Sequence, residues 1–345
     1  MDRIAHMFFE SYSSYQPGLI SEYYSNVTEN NRPDVEGGKY MSNRVYGYIR
    51  NRLHHKIEKE YIFDNTRVML IAHCMNNQVR LEGILYVLNY YIHTLNKVAH
   101  RPVIKIVLYL TNLKKLFPPT PNVVLNEDNV NSGMTMYDGG DRMIVIYRRE
   151  ELFKVLLHEL IHLYELDFFR YDPKYDSRLI TKHGIRVQEP CKNPKNPLAL
   201  YESYTDTFAC YGQMAANILL QNRTGNTMNS SSFASKLKAL RDKETTHYAL
   251  QAAKIMKYSN AVEDTHCFAY YIVKSVIYAN FEIFIQFVNN TGIKLDTVRK
   301  HEQYLELVCS LLDDPKSWRM LKKVRTNKIV LSSLKMSKVK WNLPP

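Results

Sequence analysis

The sequence predicts an α+β protein, in which a mixed α/β half is followed by a helical half. Strand-like apolar runs lie before residue 150, and runs with helical spacing dominate after it. The composition, with 45% apolar residues and only 12 Gly and 13 Pro in 345 residues, is that of a folded chain with a sizeable core. We expect an α/β half over residues 1–166, a helical half over 167–320 and a basic tail over 321–345.

The first half combines predicted helices and strands. Residues 40–62 predict a basic helix, and residues 79–95 predict a second helix because their apolar residues recur at helical spacing. Residues 129–136, in a Pro-, Asn- and Gly-rich stretch, predict a short edge strand. Apolar runs rich in β-branched residues predict three further strands, at residues 67–73, 103–111 and 143–147.

The second half is predicted to be helical. A helix over residues 150–166 is followed by a polar, Pro-rich loop over 167–197. Further helices are predicted at residues 198–220, 233–257, 263–289 and 295–312. The most lipid-like stretch, residues 268–288, contains Lys274 and Glu282, so it predicts a buried amphipathic helix and no membrane span.

The chain is strongly basic. Lys and Arg total 46 against 34 Asp and Glu, a formal charge of +12 that favours an acidic partner such as nucleic acid, an anionic surface or an acidic peptide. The bias is sharpest in residues 322–345, which hold seven basic residues and no acidic one. This tail is either a solvated or docking segment or a phosphate-binding one. No zinc finger, RNA-recognition signature or Gly-rich phosphate loop accompanies the charge, so no motif supports nucleic-acid binding.

The cysteines and the N-terminus bear on the compartment. Five scattered cysteines without a CxxC pair fit a reducing environment and buried thiols better than disulfides or a Cys-based zinc site. The first 16 residues lack the apolar core and cleavage site of a secretory signal. We therefore expect a cytoplasmic or virion-associated protein.

The motif that carries chemistry is His158-Glu159-Leu160-Ile161-His162. On a helix, His158 and His162 lie one turn apart on one face and can bind one metal ion, with Glu159 beside them. A Zn²⁺ ion held this way activates a water molecule, and the glutamate can transfer its proton. Chance would supply roughly 0.04 such matches in this composition. The alternative, a buried helix with histidines bonded to carbonyls, would desolvate three polar side chains without a metal.

A later predicted helix carries Glu202 and Asp206, one turn apart on one face. HExxH followed by ExxxD resembles the gluzincin metallopeptidases, the thermolysin-like group, over roughly residues 103–212. The resemblance implies a zincin-like first half, one zinc ion per chain, Glu202 as third ligand and Asp206 as the hydrogen-bond partner of a ligand histidine. The 40-residue spacing from His162 to Glu202 exceeds that of thermolysin, which leaves Glu189, Glu165 and His183 as alternative third ligands.

The resemblance extends upstream of the helix. In gluzincins an antiparallel edge strand pairs with the substrate backbone, and here Gly133 would permit close backbone approach. The order of LKKLFP, NSGMT, IYRREE and HELIH also resembles metallopeptidase-like proteins of large DNA viruses. The residues that correspond to the substrate strand are Asn131, Ser132, Gly133, Met134 and Thr135.

Gluzincins also take an oxyanion donor from the helical half. His266 and Tyr270 are the candidates, because the predicted helix places them on one face, although core packing would equally account for either. The sequence thus predicts a zinc metallopeptidase acting on a peptide or protein, for which the basic surface favours an acidic one. The alternative is a catalytically silent zincin-fold structural or virion protein that binds nucleic acid or acidic partners through that surface.

Overall fold

A computed structural model places most of the chain. The residues it describes are 1–17, 23–29, 33, 41–76, 79–117, 125–138, 141–167, 186–187, 198–222, 228–258, 262–263, 266–323 and 333–341. The first half holds a six-stranded open sheet and the second half is helical, which confirms the mixed α/β and helical division expected from the sequence.

The sheet has the order β1-β2-β3-β4-β6-β5. β3 and β4 are parallel, as are β4 and β6, and the other neighbours are antiparallel. β5 is therefore an edge strand, paired on one side with β6. The strands are β1 (Tyr23–Thr28), β2 (His55–Phe63), β3 (Thr66–Cys74), β4 (Val103–Tyr109), β5 (Gly133–Asp138) and β6 (Asp141–Ile146).

The predicted strands at 67–73, 103–111 and 143–147 are confirmed, and the predicted edge strand begins later, at Gly133. Residues Glu127–Val130 form instead a short helix, α4, whose cap Asn126 exchanges side-chain and backbone hydrogen bonds with Asn129. The single helix predicted over 40–62 is wrong. The helix that forms ends at Arg52, and the strand β2 follows it. A two-residue turn at Asp64 and Asn65, both with positive φ, folds β2 onto β3 as a hairpin.

Helices cover both faces of the sheet. On one face lie α1 (Arg3–Ser14), α3 (Glu82–Asn96) and α5 (Leu152–Leu163), which share the main apolar core with the inward residues of β2, β3 and β4. On the other face, α2 (Asn43–Arg52) packs Val45 and Ile49 against Val107 and Tyr147. The predicted helices at 79–95 and 150–166 correspond to α3 and α5.

The second half contains α6 (Tyr201–Gln221), α7 (Ser230–Tyr258), α8 (Lys274–Ala279), α9 (Phe281–Thr291), α10 (Val298–Asp313) and α11 (Pro315–Lys323). Three of the predicted helices are confirmed as α6, α7 and α10. The loop predicted over 167–197 lies mostly outside the described residues. Its described residues are Asp167 and Arg186–Val187 (β7), and β7 pairs with Val262–Glu263 (β8) as two short parallel strands.

The continuous helix predicted over 263–289 is wrong. A π-helical segment, Phe268–Val273, leads into α8, and the chain then bends by 93° before α9. The bend falls at Asn280, whose backbone is not helical and whose side chain donates to the Val276 carbonyl. Among the described residues, no single helix has the length and apolarity to cross a membrane; only this bent pair meets that test, by length and composition alone.

Gly212 allows α6 to lie close to the HELIH helix α5. A Cβ atom at this position would lie 2.8 Å from the Leu157 side chain and 2.7 Å from Phe8 of α1. Those distances are shorter than atoms tolerate, so a larger residue would push α5 and α6 apart. The glycine therefore sets the separation of the two helices that carry HExxH and ExxxD.

The end of the chain docks on the body of the protein. Residues 333–341, which we call the strap, begin with an antiparallel bridge from Ser333 to Leu116. The Lys335 carbonyl accepts hydrogen bonds from His247 (2.8 Å) and Gln251 (2.7 Å) of α7. The Lys338 N–H donates to Glu244 at 2.9 Å. The described part of the basic tail is thus a docked segment.

No disulfide links the four cysteines that the structure describes, and all four are buried. Cys191 lies outside the described residues.

Candidate metal centre

α5 presents the HELIH motif from within the protein. Its sequence, LFKVLLHELIHL, is apolar on nearly every side, so the helix is buried between the sheet and α6. The preceding Glu151 and the following Glu165 adopt left-handed backbone conformations, with φ of 63° and 54°, which turn the chain sharply at both ends. His158, Glu159 and His162 are each no more than 5% exposed.

Three side-chain atoms converge beside this helix. One Glu202 oxygen, Oε2, lies 3.2 Å from Nε2 of His158 and 3.3 Å from Nε2 of His162. The two Nε2 atoms are 3.1 Å apart. Two imidazole nitrogens and a carboxylate oxygen form a donor set suited to zinc, and these buried residues bring their ligand atoms within 4.8 Å of one another. The residues present therefore fit a divalent metal.

The close contacts in the cluster shift the pKa values of Glu202 and His162 in opposite directions. Burial alone would raise the pKa of the Glu202 carboxyl, but His162 and His158 hold it well below its usual range. Burial alone would lower the pKa of His162, yet the Asp167 and Glu202 carboxylates raise it well above its ordinary value. The carboxylate at position 202 is consequently in the ionised form that a metal ligand requires.

Each histidine contacts an aspartate through its other nitrogen. His162 Nδ1 lies 2.6 Å from Asp167 Oδ2, which also accepts a hydrogen bond from the Thr205 hydroxyl at 2.9 Å. His158 Nδ1 lies 3.2 Å from Asp206 Oδ1. The hydrogen bond to Asp167 fixes the orientation of the His162 ring, whereas the His158–Asp206 contact is close but lacks hydrogen-bond geometry. In both rings Nε2 faces Glu202.

Two lysines accompany Asp206. Lys274 Nζ lies 2.6 Å from Asp206 Oδ2, and Lys154 forms an ion pair with Oδ1. All three side chains are buried. Burial would raise the pKa of the Asp206 carboxyl, but the two ammonium groups hold it well below its usual range. The aspartate beside His158 thus stays ionised inside the protein.

Glu159 faces the edge strand β5. Its Oε2 accepts a hydrogen bond from the Thr135 hydroxyl at 2.9 Å. A Cβ at Gly133 would lie 2.8 Å from Val155 and 3.3 Å from Glu159 Oε1, so the glycine permits the strand to lie directly on α5. Burial raises the pKa of the Glu159 carboxyl.

A cavity of about 110 Å³ opens onto these groups. The metal-ligand cluster, Glu159 and the strand share it, and Ser132 lies in a smaller adjoining cavity with Met336 of the strap. The lining residues of the larger cavity are Asn131, Gly133, Met134, Thr135, His158, Glu159, His162, Tyr201, Glu202, His266 and Tyr270.

Tyr270 and His266 both line the cavity, but they do not share a helix face as expected. Tyr270 lies in the π-helical segment, a feature often found at functional sites, and its hydroxyl donates to Glu202 Oε2 at 3.2 Å. His266 precedes that segment with a φ of 40°, and its ring lies 6.3 Å from that of Tyr270.

Of the alternative third ligands, Glu165 is exposed and pairs with Arg101 at 2.9 Å and Arg142 at 2.5 Å. Glu189 and His183 lie outside the described residues. Glu202 is the carboxylate that joins the two histidines in the part of the chain that the structure describes.

The sequence did not indicate several of the supporting residues. Asp167 follows the HELIH motif closely, and only the left-handed turn at Glu165 returns it to His162. Lys154 sits within the apolar face of α5, and Lys274 was noted only as a charge on a predicted buried amphipathic helix. A basic residue on an otherwise apolar helix could have indicated these two lysines, because a buried charge needs a partner of opposite charge.

Comparisons of this chain with models of protein families, with curated proteins and with solved structures found no match. The functional conclusion therefore depends on the geometry of the site.

Proposed function

We propose that the protein is a zinc-dependent metallopeptidase with a zincin-like, gluzincin-type site. The observation that carries the proposal is the convergence of His158, His162 and Glu202, from two helices far apart in sequence, beside Glu159 and an edge strand. Neither helix alone would hold three ligands, so the packing of α5 on α6 makes the site.

His158 and His162 would bind the metal through Nε2, and Glu202 through its carboxylate. A zinc ion bound there supplies a Lewis acid that polarises a carbonyl group and makes a water molecule more acidic. Asp167 and Asp206 contact the two imidazole rings at their Nδ1 atoms, which keeps Nε2 available as an electron-pair donor.

Glu159 is the general base. Its carboxylate borders the cavity without contacting Glu202 directly, and the Thr135 hydroxyl fixes its orientation. It takes a proton from the attacking water and returns it to the leaving amine as the peptide bond breaks. Its buried position, which raises its pKa, suits a group that must both accept and release a proton near neutral pH.

The substrate would bind along β5. This strand uses one edge to pair with β6, and its position at the end of the sheet leaves the other edge for an extended peptide. Asn131, Gly133, Met134 and Thr135 line the cavity at that edge. Tyr270 lines the cavity and would donate a hydrogen bond to the oxygen of the attacked carbonyl once its hydroxyl turns away from Glu202, and His266 is the second candidate.

A purely structural metal site is the competing function. Such a site would use His158, His162 and Glu202 but would give no role to Glu159, to the adjoining cavity or to the edge strand. Those three features favour catalysis.

The test combines metal analysis with peptide cleavage. The purified protein is expected to contain one zinc per chain and to release new amino termini from a peptide library. Glu159→Gln is expected to retain zinc and lose hydrolysis, whereas Glu302→Gln, an exposed acid on α10, should change neither. Normal turnover by the Glu159→Gln variant would overturn the proposal.

A further inference from the structure

The strap lies between the core of the protein and a second cavity, which is larger than the cavity at the candidate metal centre. Successive side chains of an extended segment point in opposite directions. Leu334 and Met336 are 0% and 3% exposed and pack into the core, whereas Lys335, Ser337, Val339 and Trp341 line a cavity of about 330 Å³. This strap cavity has the volume of a small-molecule site and three times that of the cavity at the metal centre.

The wall facing the strap comes from the beginning of α3 and of α5. Val79, Arg80 and Ile84 form one side, and the other side consists of Arg149, Glu151, Leu152 and Phe153. The strap is held in register on this wall because the Ser337 N–H donates to Glu151 Oε1 at 2.5 Å and the Ser337 hydroxyl accepts from Gln213 at 2.8 Å. Several elements therefore form the walls of the cavity, and hydrogen bonds fix the position of the strap on them.

The strap cavity carries uncompensated positive charge. Arg80, Arg149 and Lys335 come from three different segments, and none has an ion-pair partner among the described residues. The acidic residue in the described lining is Glu151, whose buried carboxylate is already occupied by Lys115 at 3.3 Å and by the Ser337 N–H. Three cations thus face one cavity: Arg80 and Arg149 are exposed, Lys335 is half-buried, and the one carboxylate of the described lining is shared with Lys115.

The rest of the lining is apolar and aromatic. The rings of Phe153 and Trp341 lie 4.7 Å apart, and both residues are half-buried at the cavity. Leu110, Leu152 and Val339 complete this side. Guanidinium groups bind phosphate through paired hydrogen bonds, and aromatic faces bind planar rings.

We propose that the strap cavity binds a small ligand in which a phosphate group is joined to a planar aromatic ring, the chemistry of a mononucleotide. Arg80, Arg149 and Lys335 bind the phosphate, and Trp341 with Phe153 contacts the ring. The site uses none of the groups assigned to the metal centre, so it stands independently of the peptidase proposal.

The experiment is isothermal titration of the full-length protein with AMP, adenosine and inorganic phosphate. AMP is expected to bind at least tenfold more tightly than either fragment. The double variant Arg80→Gln/Arg149→Gln should weaken AMP binding at least tenfold, whereas Arg52→Gln/Arg299→Gln, which removes two exposed arginines elsewhere, should bind like the wild type. Trp341→Ala should weaken AMP binding and leave phosphate binding unchanged.

Three results would overturn the proposal: absence of AMP binding at millimolar concentration, equal loss of binding in both double variants, or phosphate binding as tight as that of AMP. An unchanged thermal midpoint and far-UV circular dichroism spectrum would show that the variants remain folded.

Discussion

Buried carboxylates near the two ends of α5 have different partners. Near its N-terminus, each buried carboxylate has a lysine partner: Glu151 pairs with Lys115, and Asp206 pairs with Lys154 and Lys274. At the HELIH end, Glu202 meets His158 and His162, and no lysine or arginine of the described residues pairs with it. The first region supplies lysine counter-charges, whereas the second region has two histidines in their place.

The comparison teaches how a metal site differs from an ion-pair network. Burial is strong enough to lower the pKa of Lys115 to about 8, although the Glu151 carboxylate opposes the shift. A network of this kind is closed, because each charge has a partner inside the protein. At Glu202, by contrast, we propose that a bound zinc ion completes the donor set.

Glu202→Gln should give the largest effect. The amide removes the anionic ligand, so bound zinc should fall from one per chain to a small fraction, and peptide hydrolysis should fall by more than about 100-fold. Elemental analysis after dialysis and a peptide-cleavage assay measure the two effects. Full zinc occupancy in this variant would remove Glu202 from the ligand set.

Lys115→Met should affect stability and not the metal. It leaves the Glu151 carboxylate buried without its lysine, and losing one partner of a buried pair costs about 3–5 kcal/mol. Urea unfolding measures the loss. The double variant Lys115→Met/Glu151→Gln should recover part of the stability because neither charge remains buried; a further loss of stability in the double variant would contradict this interpretation.

Asp167→Asn and Asp206→Asn should separate the two regions. Both remove a carboxylate from a ligand histidine, so zinc affinity should fall about 10–100-fold in each. Asp206→Asn additionally leaves Lys154 and Lys274 without their shared anion, so it should lower the free energy of unfolding by about 3–5 kcal/mol, more than Asp167→Asn does. Competition with a chelator and urea unfolding measure the two effects. Equal stability of the two variants would contradict the network assigned to Asp206.

The pH dependence of stability should give the smallest effect. Burial lowers the pKa of His247, which holds the strap, and of His73 to about 4. Between about pH 6.5 and 4 the unfolded chain then binds more protons than the native one, so stability falls as the pH falls through this window. Each histidine should contribute at most about 3 kcal/mol over this window.

Urea unfolding at several pH values measures this slope. His247→Gln should make it shallower, and the same substitution at the exposed His6 is the control. A slope unchanged by His247→Gln would exclude His247 from the acid transition.

The elements that the sequence predicted correctly are those determined by a local pattern of apolar residues. Strands at residues 67–73 and 103–111 and the HELIH helix follow from periodicity, because their side chains pack on the nearest layer. The hairpin of β2 with β3 was missed because it depends on two left-handed residues, Asp64 and Asn65, whose signal is weaker than the helical spacing before them. The break at Asn280 is likewise a local backbone event inside an apolar run.

In the candidate site, too, some residues could be predicted from the sequence and others could not. The pair of histidines one turn apart is readable from spacing, and Glu202 was selected by its resemblance to a known motif. Asp167, Lys154, Lys274 and Met336 reach the site through tertiary packing, which a single sequence does not encode as a pattern. The docking of the strap, which brings residue 336 beside Glu159, could not be predicted from the basic composition of the tail.

X-ray absorption spectroscopy of the purified zinc-loaded protein tests the central claim most directly. The account predicts stoichiometric zinc surrounded only by nitrogen and oxygen ligands at about 2.0–2.2 Å, with the imidazole signal lost in the double variant His158→Ala/His162→Ala. Sulfur ligands at about 2.3 Å, or an unchanged spectrum in that variant, would place the metal elsewhere and contradict it.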